Sequence, residues 1–206
     1  MTPRKIETSA ILPPAEYAKL RAERRRQISE IKRNRRLEVG PFATFYFESY
    51  ETMLHQVHEM LFIEKGGAAQ IPDELAAYNP LIPQGRELVA TVMFEIDDPI
   101  RRARVLATLG GVENRAFLRI GADTIRGVSE EDQERTREDG KASSVQFLRF
   151  PFTAPLHRHL CPRCCSSSRL VSKRTTCSLP QTLSGSSPRR RTNMASARRP
   201  PATGRT

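Results

Sequence analysis

The chain has 206 residues, with 34 Lys and Arg against 23 Asp and Glu, for a formal net charge of +11. Residues 1–152 hold 23 basic and 23 acidic side chains, whereas residues 153–206 hold 11 basic and no acidic ones. The high pI therefore belongs to the tail and argues for no nucleic-acid-binding body; no run of 18 apolar residues offers a membrane span, and the length fits one domain with a tail.

The first residues, MTPRKIETSAILPPAEY, lack an apolar stretch of signal-peptide length, so a cytoplasmic, bacterial-type protein is expected. After Pro13-Pro14 a helical pattern runs from about Ala15 to Arg35, with Tyr17, Leu20, Ile28 and Ile31 near one face and Arg24 interrupting it. Gly40-Pro41 breaks the chain between two strand candidates, Arg36 to Val39 and Phe42 to Phe47. The clearest helix follows. Tyr50, Met53, Leu54, Val57, Met60 and Leu61 form one apolar stripe with a sharp polar face, and Gly66-Gly67 stops it. A short helix from Asp73 to Ala77 leads into a stiff turn fixed by Pro80, Pro83 and Gly85.

Leu88 to Ile96 reads as a strand. Asp97 and Asp98 cap the next helix, with Pro99 in its first turn and Gly110-Gly111 at its end. Arg115 to Ile120 and Thr124 to Val128 form a hairpin around Gly121-Ala122-Asp123, a turn longer than the ideal two residues. Glu130 to Gly140 is a charged helix or loop, and the alternation from Ser143 to Phe152 marks a last strand. Several strands follow one another without helices between them. The expected class is α+β: one domain over 1–152, with a largely antiparallel sheet and helices packed on one face, and a basic Ser/Arg/Pro-rich tail over 153–206, expected to be disordered.

All four cysteines, Cys161, Cys164, Cys165 and Cys177, lie in that tail, which argues against a secreted disulfide framework for the body. The Cys161-x-x-Cys164-Cys165 run, with His157 and His159 before it, has zinc-ligand chemistry. The aperiodic segment after it offers no folded knuckle to hold a metal.

The runs NRRLEVGPFATFYFESYETMLHQVHEMLFIEK, DELAAYNPLIPQG and SSVQFLRF resemble the bacterial domain-of-unknown-function family 3501, over about Tyr17 to Phe152. The positions that carry the resemblance are Asn34, Arg35, Arg36, Gly40, Pro41, Phe47, Glu48, Thr52, Met53, Gln56, Glu59, Tyr78, Asn79, Pro80, Phe147 and Arg149. The resemblance implies no known biochemical activity. It implies a redox or peroxide-stress setting, with genes beside those for rubrerythrin and an iron–sulfur oxidoreductase, either of which is then a candidate partner. The chain departs from the family at GGAAQIPDEL, where relatives have a longer acidic helix end, and after about Phe152.

Two surfaces carry candidate chemistry. Glu51, His55, His58 and Glu59 lie on the polar face of the long helix at offsets of three and four, where imidazole and carboxylate can bind zinc or iron. No second element offers matching ligands, and a solvated face is the simpler expectation. The first helix and its exit carry Arg21, Arg24, Arg25, Arg26, Lys32, Arg33, Arg35 and Arg36 against Glu23 and Glu30. Of these, Arg25, Arg26, Lys32, Arg33 and Arg36 are the candidates for a polyanion contact. No aromatic interleaving supports base stacking, so nucleic acid is not the expected partner. One arginine of the Asn34-Arg35-Arg36 run is expected to pair with Glu48 or Glu59.

No nucleophile elbow, phosphate-binding loop or dinucleotide fingerprint occurs. Catalysis is not indicated and no cofactor is predicted. The expected function is a non-catalytic accessory or interaction protein in a redox-stress gene cluster. The alternatives are a metal-binding protein or metal-dependent enzyme using His55, His58 and Glu59, and a polyanion binder using the first helix.

From about Ala154 the composition changes abruptly: residues 153–206 contain 9 Ser, 7 Thr and 6 Pro. The tail is expected to be the product of a shifted reading frame. Between Leu170 and Asn193 the genetic code permits another frame that ends in PADALRELAAEAD, an acid-bearing amphipathic helix, before a stop. Loss of native C-terminal elements is expected to leave an unpaired strand edge or apolar patch near Ser143 to Phe152.

Overall fold

The computed structural model describes residues 4–120, 123–129 and 140–152, and the backbone of 175–178. Helix α1 spans Pro14–Arg33, and strands β1 (Arg36–Val39) and β2 (Ala43–Phe47) form a hairpin. Three residues separate the paired Val39 and Ala43, and Gly40 takes the left-handed conformation (φ 62°) that lets the strands reverse. Helix α2 (Tyr50–Glu64), helix α3 (Ile71–Tyr78) and the 3-10 turn Asn79–Leu81 lead into β3 (Glu87–Phe94). Then come α4 (Pro99–Ala107), β4 (Phe117–Ile120), β5 (Asp123–Arg126), β6 (Val128–Ser129), β7 (Val145–Pro151) and β8 (Thr175–Ser178).

The main sheet has the order β1-β2-β3-β7-β6 and is antiparallel throughout. A second sheet, β5-β4-β8, is also antiparallel. The class is α+β, as the element order implied. Alternation along the strands gives the main sheet two different faces. On one face Phe45, Phe47, Leu88, Ala90, Val92, Leu148 and Phe150 pack against Ala116, Leu118 and Ile125 of the β4–β5 region. Beside them Ala43 and Phe94 meet Leu106 and Leu109 at the end of α4. On the other face Val89 and Phe147 pack with Met53, Val57 and Leu61 of α2, with Leu81 and Ile82, and with Ile6 from the N-terminal segment.

The apolar stripe of α2 meets the sheet as its spacing predicted, but the opposite face does not face solvent. His58 is buried because α1 crosses over that side and Tyr17 stacks on its ring, and Thr52 is buried at the junction with Ser49 and Glu48. Helix α1 itself brings little apolar surface: Tyr17 is its one buried residue, and Leu20, expected on the buried face, is exposed. A polar helix–helix contact carries no apolar period, which is why the pattern read it as solvated.

Two local corrections follow. The β4–β5 register pairs Ile120 with Asp123, so the hairpin loop is two residues and Asp123 belongs to the strand. Strand β7 pairs with β3 along its length and with the two-residue β6 at Leu148 and Arg149, so part of the edge expected to be open there is covered. The expectations for Glu130 to Gly140 and for the tail fall almost wholly outside the described residues. Within the tail, β8 adds four residues to the edge of β4.

Candidate ligand cleft

The sheet register lines up Arg36, Tyr46, Thr91 and Phe147 across β1, β2, β3 and β7, on the face against which α2 packs. The next row holds Glu38, Thr44, Met93 and Val145. Helix α2 and the α3 exit cover only part of this face. What remains is a chamber of about 510 Å3, floored by Tyr46, Thr91, Met93, Val145 and Phe147. Its walls are Met53 and Gln56 of α2, Tyr78 and Leu81, the Glu48 carboxylate, and Lys32 near the end of α1. A second chamber of about 580 Å3 shares Lys32 and Tyr46 with the first, and adds Arg25, Ile28, Ser29, Arg33, Arg36 and His55. The two adjoin at these shared residues; the pair, here called the cleft, has an inner, partly apolar chamber and an outer, basic one.

Glu48 is the inner anchor. It sits between β2 and α2 and is 4% exposed. Thr52 Oγ1 donates to its Oε2 and Thr91 Oγ1 to its Oε1, each at 2.6 Å. No cation pairs with it among the described residues. The same Thr52 hydroxyl accepts from the Ser49 amide, so one side chain both caps α2 and orients the carboxylate. Of the Asn34-Arg35-Arg36 run, one arginine of which was expected to pair with Glu48 or Glu59, Arg35 is buried and donates to the main-chain carbonyls of Phe47 (2.9 Å) and Glu48 (2.8 Å). Tyr46 donates to Glu95 at 2.8 Å, and burial together with that carboxylate pushes its hydroxyl up to about 12. Burial pushes the Tyr78 hydroxyl up, and Gln56 beside it on the chamber wall offsets this in part.

The outer end collects the polyanion candidates unequally. Arg26 pairs with Glu23, Arg33 with Glu30, and Arg36 with Glu38 at 2.8 Å. Arg25 and Lys32 form no ion pair among the described residues.

The metal candidates are not gathered into a ligand set. Leu12 N donates to His58 Nε2 at 2.9 Å, and His58 Nδ1 donates to the Leu54 carbonyl at 2.8 Å, so both ring nitrogens are occupied. The ring stacks on Tyr17 with centroids 4.8 Å apart, and burial pulls its pKa below 6.5. Glu59 accepts from Tyr17 Oη at 2.7 Å and takes a two-pronged ion pair from Arg21 at 2.9 and 2.8 Å. These contacts hold its pKa down at about 2, the Arg21 bond contributing most. It is Arg21, not the Asn34-Arg35-Arg36 run, that pairs with Glu59. His55 lies 3.4 Å from Tyr17 Oη, with its pKa lowered by burial, and Glu51 is exposed. Among the described residues no group of three or more His, Cys, Asp or Glu side chains is placed to hold a metal ion. His55, His58 and Glu59 form an interhelix fastening, and Glu51 takes no part in it. Cys161, Cys164, Cys165, His157 and His159 lie outside the described residues.

The positions that carry the family resemblance divide into two groups. Arg36, Glu48, Met53, Gln56, Tyr78 and Phe147 line the cleft. Several of the others build its frame. Asn79 accepts from Ile6 N at 2.7 Å and fixes the N-terminal segment. Arg149 reaches Glu87 at 3.1 Å and the Pro80 carbonyl at 2.7 Å, tying β7 to the α3 exit. Sequence reasoning missed Thr91, Met93, Tyr46 and Val145 as site residues. Their one signal was alternation, which places them on a common face without saying that the face stays open.

Among curated proteins none matches the chain. A crystal structure of a protein of unknown function from Burkholderia pseudomallei K96243 is similar, with 34% sequence identity and a TM-score of 0.68, over 74% of this chain and 79% of that one. No helix among the described residues is long and apolar enough to cross a membrane. Residues 5–164 match the family described as protein of unknown function (DUF3501), a span that reaches beyond Tyr17 to Phe152 at both ends, and the chain belongs to that family.

Proposed function

We propose that this chain is a non-catalytic accessory protein that works by binding in the cleft, in a redox or peroxide-stress setting and beside a redox partner such as rubrerythrin or an iron–sulfur oxidoreductase. One observation carries the binding reading. Six positions of the family pattern, separated by up to 111 residues of sequence between Arg36 and Phe147, line one cleft. The setting and the partner rest on the family resemblance. The electrostatics support a binding role over acid–base chemistry, which works best with a group titrating near the operating pH. The shifted groups around the helices move away from neutrality: Glu59 to about 2, His55 and His58 downward from 6.5, Tyr17 and Tyr46 upward.

The test is a bacterium whose own copy is replaced by Met93→Trp. Met93 is 38% exposed on the open sheet face, so an indole there fills the inner chamber without entering the core. That strain should be as peroxide-sensitive as the deletion. Full resistance would overturn the proposal. The tail plays no part in it; we propose that it arises from a shifted frame, and early stops in the alternative frame of the gene would end that idea.

A further inference from the structure

The cleft has two chemically different ends, and together they specify a ligand class. At the inner end, a carboxylate offers about four acceptor positions, two on each oxygen. Threonine hydroxyls take one on each oxygen of Glu48. Glu48 is buried, is one of the residues lining the chamber and has no ion pair among the described residues. Its remaining acceptor positions suit N–H donors brought by a ligand. Around it stand Tyr46, Tyr78 and Phe147 with Met53 and Met93. Aromatic faces and thioether sulfurs favour a flat, polarizable ring.

At the outer end the useful charge comes from Arg25 and Lys32, since Arg33 and Arg36 are each matched by a glutamate. Two unmatched cations beside the Ser29 hydroxyl fit a phosphate monoester, which carries about −1.5 to −2 at neutral pH. The chambers, about 510 and 580 Å3, each fall within the usual range for small-molecule sites, roughly 300–1,000 Å3. A nucleic-acid strand would leave the inner chamber unused and would meet arginines that already have partners.

We propose that the cleft binds a phosphate ester of an N–H-bearing aromatic heterocycle, with the ring against Glu48 and the phosphate between Arg25 and Lys32. This deepens the binding reading above and rests on it.

The experiment is titration calorimetry on the full chain with three probes: guanosine 5′-monophosphate, flavin mononucleotide and inorganic phosphate. The first two separate a purine from a wider ring, and the third separates both from an adventitious ion only. At least one nucleotide should bind with a Kd below about 100 μM. Glu48→Gln keeps the side-chain shape and should weaken binding at least about tenfold. Lys32→Glu at the half-buried mouth should do the same without touching the core. Arg101→Glu, on α4 and away from the cleft, should change nothing. The proposal is overturned if neither nucleotide binds at about 1 mM, if phosphate alone binds as tightly as the better nucleotide, or if both cleft variants bind like the parent. A silent titration beside a peroxide-sensitive Met93→Trp strain removes only the ligand class, whereas a resistant strain removes the binding reading itself.

Discussion

His58 shows how much of this fold hangs on a single tautomer. Its Nε2 must accept from Leu12 N while Nδ1 donates to Leu54 O. A proton on Nε2 would set two N–H groups against each other, so the folded state holds the ring neutral. A pKa depressed below 6.5 on folding means that the unfolded chain takes up the proton first. Stability is therefore complete above pH 6.5 and declines as pH falls from there toward the folded value. Glu59 acts in a separate window: its contribution is complete above 4.5 and is lost between 4.5 and about 2. Melting temperature against pH should thus fall in two stages. In His58→Gln the stage below 6.5 should shrink to the share of His55, the other depressed imidazole, while the Glu59 stage stays. The substitution should also lower stability by about 1–3 kcal/mol through the orphaned Leu12 amide and the lost stack on Tyr17. An unchanged pH profile would remove His58 as its source. Nothing in the spacing of His55, His58 and Glu59 distinguishes a metal face from this fastening. The difference lies in Tyr17 and Arg21, which sit 38 to 42 residues away and approach only when α1 packs.

At the scale of elements, the junction between β2 and α2 does most to set the cleft. Ser49 and Thr52 form a reciprocal cap, and the Thr52 hydroxyl also holds Glu48. Thr52 is fully buried, so no water replaces that hydroxyl when it is removed. Thr52→Val keeps the shape and removes both roles. We expect a loss of about 1–3 kcal/mol in urea denaturation, with Thr52→Ser close to the parent. A loss for Thr52→Ser with Thr52→Val close to the parent would mean that packing of the methyl, and not the cap, is what matters. The strands and helices were legible because each repeats its apolar residues at its own period: β7 alternates and α2 recurs at three and four. The cleft was not legible by that means. It is the part of the sheet face that no helix covers, and coverage depends on where α1 and α3 end. Only the family pattern marked Glu48, Gln56, Tyr78 and Phe147 in advance, and it marked frame residues such as Asn79 and Arg149 equally.

For the whole molecule, the question is where a polyanion would bind. Charge counting alone assigns the excess to residues 153–206, since residues 1–152 balance at 23 basic and 23 acidic. The structure sharpens this, because Arg26, Arg33 and Arg36, three of the five candidates on and after α1, are each matched by a nearby carboxylate. A matched arginine releases few counterions on binding a phosphate chain, because part of its field is already neutralised. The run Arg189-Arg190-Arg191 has no acidic residue anywhere in the 54 residues of its segment. Binding of the full chain to heparin should therefore follow the tail. Replacing those three arginines by serine should reduce the slope of log affinity against log salt by about 2 to 3, at roughly 0.7–0.9 per phosphate contact. The pair Arg26→Ala and Arg33→Ala should leave the slope nearly unchanged. The reverse result, a flat response in the tail variant and a reduced slope in the helix variant, would place the polyanion contact on α1 and return the outer end of the cleft to a strand of phosphates instead of a single one.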